Sequence, residues 1–84
     1  MVNPYYDEGN IRTFYIESDD SEFVWHRDKE DRIVEVLEGQ GWQFQYEEAL
    51  PFLLEQGLKV KIPKGEYHRI IKGYDTLKIK IVKC

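Results

Sequence analysis

The sequence predicts an all-β fold, a small antiparallel β-barrel or sandwich, and three observations carry that expectation. Helical periodicity is nearly absent, whereas short runs with β-type alternation recur from residue 13 to residue 83. Clusters of turn residues separate those runs at near-regular spacing. The chain has 84 residues, 42% of them apolar, which is enough for one small core and too little for two domains.

The expected strands follow in order. Residues 13–16 (Thr-Phe-Tyr-Ile) run to a turn at Ser18-Asp19-Asp20, and 22–28 run from Glu22 to Asp28. Residues 32–37 end at Glu38-Gly39-Gln40-Gly41, and Gly41 opens the strand 41–46. A short strand at 51–54 precedes Gln56-Gly57, with one helical turn as the alternative for 47–54, because Glu-Glu-Ala-Leu favours helix up to Pro51. Residues 58–62 stop at Pro63, which cannot donate to a ladder, and Gly65 supplies the turn back. Residues 67–71, the turn Lys72-Gly73-Tyr74-Asp75 and the strand 77–83 complete the chain. Alternation also assigns faces: Leu77, Ile79 and Ile81 inward against Lys78 and Lys80, and Val60 and Ile62 inward against Lys59 and Lys61. By the same rule Trp42, Phe44 and Tyr46 share a face, opposite Gln43 and Gln45.

Composition narrows the function classes. The formal net charge is −4, which argues against a general nucleic-acid binder. No apolar run approaches the ~20 residues of a membrane helix, and residues 1–10 lack a signal-peptide layout, so the expectation is a cytoplasmic protein without a membrane partner. The single cysteine, Cys84, leaves no intramolecular disulfide. Residues 1–56 carry 14 acids and 4 bases, and 57–84 carry 8 bases and 2 acids. Basic strands paired with acidic strands in one sheet would account for that asymmetry. A basic surface for an anionic partner would also account for it.

Two segments carry chemistry. Residues 26–41 read His-Arg-Asp-Lys-Glu-Asp-Arg-Ile-Val-Glu-Val-Leu-Glu-Gly-Gln-Gly, and 57–68 read Gly-Leu-Lys-Val-Lys-Ile-Pro-Lys-Gly-Glu-Tyr-His. The first resembles motif one of the cupin family, G-x5-H-x-H-x3,4-E-x6-G. The second resembles motif two, G-x5-P-x-G-x2-H-x3-N, with Gly57, Pro63, Gly65 and His68 in place. The resemblance implies one cupin-like domain over residues 1–84, a double-stranded β-helix or jelly roll with its site in one mouth of the barrel.

At the positions of the family's metal ligands this chain has His26, Asp28, Arg32 and His68. Asp28 replaces a histidine and Arg32 the glutamate. By resemblance, His26, Asp28 and His68 are the candidate metal ligands, two imidazoles and a carboxylate, the facial set of non-haem iron sites. One divalent transition metal (Fe, Ni, Zn or Mn) is the implied cofactor, and oxygenase or isomerase chemistry on a small anionic substrate is the implied activity. Arg32 opposes a cation: at ~5 Å and an effective dielectric of ~20, its repulsion of a dication is roughly 6–7 kcal/mol. It could pair with Asp28, or bind a small-molecule ligand as part of a substrate pocket walled by Trp42, Phe44 and Tyr46. Two other readings stand beside the metalloprotein: a metal-free module binding a carboxylate, phosphate or sugar through Arg32, and a scaffold whose lysine strands meet an acidic partner.

If His26 and Asp28 point inward from a strand, Phe23 and Trp25 point outward with Arg27. Adjacent outward aromatics on a small barrel predict a homodimer through the Phe23/Trp25 face. The alternative cover is residues 1–15 of the same chain.

Overall fold

The computed structural model describes residues 5–8, 10–17 and 19–83, with residues 5–8 and 83 as backbone. Cys84, Ser18 of the first turn, and residues 1–4 and 9 of the segment expected as an alternative cover lie outside the described residues. Among the described residues eight strands form: β1 Tyr5–Glu8, β2 Ile11–Phe14, β3 Arg32–Glu38, β4 Gln43–Tyr46, β5 Phe52–Leu53, β6 Lys59–Ile62, β7 His68–Ile71 and β8 Leu77–Lys83. They build a five-stranded sheet in the order β1-β2-β8-β3-β6 and a three-stranded sheet in the order β5-β4-β7, antiparallel throughout. Among the described residues there is no α-helix, and no helix long and apolar enough to cross a membrane. The fold class is all-β.

The inner faces follow the alternation. Phe14, Val34, Val36, Val60, Ile62, Leu77 and Ile79 come from the larger sheet, Phe44 and Ile70 from the smaller, and together with Trp42 and Leu54 they form one buried cluster. Burying such a side chain contributes about 1.5–3 kcal/mol, so the cluster is what holds the sheets together. The two sheets share no strand pairing among the described residues, so they stack as open layers. The Tyr46 hydroxyl, donating to the Lys61 carbonyl, pins one seam between them.

The charge asymmetry has its explanation on the outer face of the larger sheet. Glu35 of β3 lies opposite Lys59 on one side and Lys80 on the other, and Lys78 reaches Glu38 at 3.5 Å. The acidic first part of the chain meets the basic second part strand against strand.

Two expectations need correction. Residues 22–28 are not a strand: Ser21–Phe23 form a 3-10 turn, followed by a single bridge between His26 and His68. The Asp20 carboxylate accepts from the Glu22 amide at 2.8 Å, a local cap that competes with a ladder. Parity therefore does not carry through the turn, and Phe23 packs inward against Phe14 and Trp42, with ring centroids 5.7 and 5.8 Å away. Trp25 stays 44% exposed beneath the Arg69 guanidinium, 4.7 Å from its ring centre. Phe23 and Trp25 thus do not point the same way. The helical alternative at 47–54 is also absent: the chain turns at Glu48 with φ 61° and then forms β5.

Candidate metal centre

Three short segments bring the chemistry together. The 3-10 turn presents Glu22, the bridge presents His26, and β7 opens with His68. Backbone bonds lock the last two side by side, His26 N–H to the His68 carbonyl at 3.1 Å and His68 N–H to the His26 carbonyl at 2.9 Å. The imidazoles meet edge to face with centroids 4.3 Å apart. Phe44 stacks on His68 from the core side at 5.4 Å. The Pro63-Lys64-Gly65 turn holds Asp28 in place, because Gly65, at φ +80°, donates its N–H to the Asp28 carbonyl at 3.0 Å. A side chain there would strain the turn.

Both imidazoles are oriented by main-chain carbonyls. His26 Nδ1 lies 2.7 Å from the Val24 carbonyl and His68 Nδ1 2.8 Å from the Glu66 carbonyl. A carbonyl only accepts, so each Nδ1 carries a proton and each Nε2 is the ring atom that faces the carboxylates. One ligand atom each from Glu22, His26 and His68 falls within 4.8 Å of the others. His26 Nε2 is 3.0 Å from Glu22 Oε1, and His68 Nε2 is 3.5 Å from Asp28 Oδ2. The last two atoms are buried and lack a hydrogen-bond partner. A nitrogen lone pair and a carboxylate oxygen facing each other out of water call for a cation or a proton between them. Main-chain bonds to Nδ1 are also how metal-binding histidines are oriented. The residues fit a divalent ion.

A carboxylate that sequence reasoning did not single out, Glu22, also falls in this cluster. Its signal was available: Glu22, His26 and Asp28 share even spacing, and the expected inward face of 22–28 contained it. Asp28 is adjacent, its Oδ1 lying 4.0 Å from His26 Nε2 and 3.9 Å from an Arg32 terminal nitrogen. The Asp28–Arg32 pair thereby offsets the guanidinium charge that opposes a cation. Beneath it lies a cavity of about 20 Å³, lined by Arg12, Glu22, Asp28 and Arg32 above and by apolar side chains including Phe44 below. Of the three aromatics expected to wall a pocket, Phe44 lines it while Trp42 and Tyr46 do not. Trp42 is wholly buried elsewhere in the core, its indole N–H donating to the Asp75 carbonyl at 2.6 Å.

The electrostatics of the metal-free cluster set a pH window. The Glu22 hydrogen bond raises the His26 pKa above its ordinary 6.5 despite burial, with the Val24 carbonyl and the Glu22 and Asp28 charges assisting. Burial pushes the Glu22 carboxyl up, but the His26 bond and the charges of His26, Arg12 and His68 outweigh it, leaving it below 4.5. The His26 contribution to stability is fully present below pH 6.5 and fades as pH rises through its raised pKa; that of Glu22 is present above 4.5 and fades as pH falls through its lowered one. In chelated buffer the melting temperature should therefore peak between these values and decline on the alkaline side. Glu22→Gln should flatten that decline, and an unchanged melting temperature from pH 6 to 9 would contradict the pairing.

Compared by sequence, the chain matches no family model and no curated protein. Compared by structure, it is similar to a cupin-2 domain containing protein from Shewanella frigidimarina NCIMB 400, with a TM-score of 0.60 and 21% identity over 94% of this chain and 76% of that one. It is similar also to protein NMB1881 from Neisseria meningitidis, with a TM-score of 0.60 and 11% identity over 94% of this chain and 78% of that one. At these identities the likeness speaks for the fold. The fold is cupin-like.

Proposed function

We propose that this chain is a small metal-binding cupin, its two sheets the halves of a double-stranded β-helix, with one divalent transition metal held by Glu22, His26 and His68. The observation that carries the reading is the buried pair of unpartnered atoms, His68 Nε2 and Asp28 Oδ2, beside two imidazoles whose Nδ1 protons are fixed by main-chain carbonyls. Two imidazoles and a carboxylate suit Fe(II) and Zn(II) alike, and Mn and Ni are within the range of such donors. When bound, the ion supplies Lewis acidity and open coordination positions.

This chain's own residues do the rest. Nδ1–H bonds to main-chain carbonyls keep the imidazoles aimed. Asp28 holds Arg32 beside the site, and Phe44 with the apolar cavity wall excludes bulk water from one side. In keeping with the fold, the reading extends to oxygenase or isomerase chemistry on a small anion, with Arg32 orienting it. Fold alone does not fix an activity, so the test is at the site. Untagged protein purified without chelator should contain close to one equivalent of a transition metal by plasma mass spectrometry. Protein that is metal-free and refuses added Fe(II), Ni(II), Mn(II) and Zn(II) would overturn the proposal.

A further inference from the structure

We propose that Trp25, Arg27, Tyr67 and Arg69 form a docking surface for an extended acidic segment of a partner protein, on the outer side of the bridge whose inner side carries the metal cluster. The single antiparallel bridge between His26 and His68 sets the arrangement. It places Trp25 opposite Arg69 and Arg27 opposite Tyr67. Because the two imidazoles meet on the inner side, these four neighbours project outward. The Arg69 guanidinium lies 4.7 Å from the Trp25 ring centre, and that of Arg27 lies 5.3 Å from the Tyr67 ring centre, both within cation–π range. Both rings remain exposed, Trp25 at 44% and Tyr67 at 38%. Arg69 is fixed from a second side, its Nε donating to Gln45 Oε1 at 3.0 Å while Gln45 Nε2 donates to the Ala49 carbonyl at 2.9 Å.

Charge decides what fits this face. Among the described residues neither arginine forms an ion pair, Glu47 and Glu66 beside Tyr67 included. The lysines of the larger sheet differ, since Glu35 stands between Lys59 and Lys80, and Glu38 meets Lys78. A guanidinium stacked on a ring keeps its in-plane N–H donors free, and that planar fork matches a carboxylate. A second copy on this face would bring two guanidiniums from each chain together across a two-fold axis, whereas an acidic segment brings their counter-charges. Tryptophan, tyrosine and arginine are also the side chains that carry most binding energy at protein interfaces. Spacing narrows the segment further. Arg27 and Arg69 are diagonal cross-strand neighbours, roughly 7 Å apart, and alternate residues of an extended chain are separated by about the same distance. The segment therefore carries acids at positions i and i+2. Beyond Arg69 the outward row of Ile71, Gln43 and Leu53 is uncharged, with Leu53 half exposed, and it receives an apolar residue next to the acids.

The probe is a fluorescein-labelled, end-blocked peptide with two glutamates separated by one residue and a leucine following them. Its anisotropy is followed as the full chain is added at low ionic strength. The wild type should bind it saturably, and should bind the same peptide with glutamines for the glutamates at least about tenfold more weakly. Arg27→Gln and Arg69→Gln should each weaken binding about tenfold or more, Arg69→Lys less, and Lys59→Gln not at all. Melting curves show which variants are folded. Absence of saturable binding overturns the inference, as does equal affinity for the glutamine peptide or equal affinity across the wild type and the folded arginine variants. A dimer in sedimentation velocity that Trp25→Leu dissociates would seat a second copy on this face and overturn it as well.

Discussion

His68→Gln is expected to weaken metal binding by roughly a hundredfold or more, since losing even an outer partner of a ligand costs about ten- to a hundredfold. His68 is fully buried, its ring lies between Phe44 and His26, and its Nδ1 is tied to the Glu66 carbonyl. No solvent-exposed alternative can substitute for it from that position. Glutamine keeps the polarity but loses the aimed nitrogen and the stacking surface. Competition with a chromophoric chelator would read the affinity, and circular dichroism would show that the fold survives. A variant that binds metal as tightly as the wild type would remove His68 from the ligand set.

Trp42→Ala is expected to destabilise the protein by about 3–5 kcal/mol. Trp42 is the largest fully buried side chain, and it touches the aromatic cluster of Phe14 and Phe23 at 6.5 and 5.8 Å between ring centres. Its removal also strands the Asp75 carbonyl. Native domains have about 0.05–0.15 kcal/mol of stability per residue, so the loss takes a large share of the total. Urea unfolding followed by far-ultraviolet dichroism should show a sharply lower midpoint, with Trp42→Phe falling between. An unfolding free energy within about 1 kcal/mol of the wild type, which is what an ordinary substitution costs, would show that Trp42 is not central to the core.

Those two residues illustrate what was legible in the sequence. Strict alternation in β6 and β8 admits one facing, since a slip by one residue would bury lysines. The spacing of Gly57, Pro63, Gly65 and His68 likewise identified the turn and the buried imidazole. The 22–28 segment differs from a strand because alternation does not hold across Glu22-Phe23, where the Asp20 side chain caps a 3-10 turn. The strand reading turned Phe23 outward, whereas its ring packs inward. The pairing of Arg32 with Asp28, one of the roles open to it from the sequence, is the one the structure has. The place of Arg12 was not legible. Only the pairing of β2 with β8 brings it to the same cavity as Arg32.

The central claim is that Glu22, rather than a residue at the family's glutamate position, completes a two-histidine, one-carboxylate site. Zinc uptake by Glu22→Gln and Asp28→Asn, measured beside the wild type under identical loading, tests it most directly. The account predicts near one equivalent in the wild type, loss of zinc in Glu22→Gln, and a smaller loss of affinity in Asp28→Asn. Full zinc retention in Glu22→Gln, with loss in Asp28→Asn, would assign the ligand carboxylate to Asp28 and contradict the account.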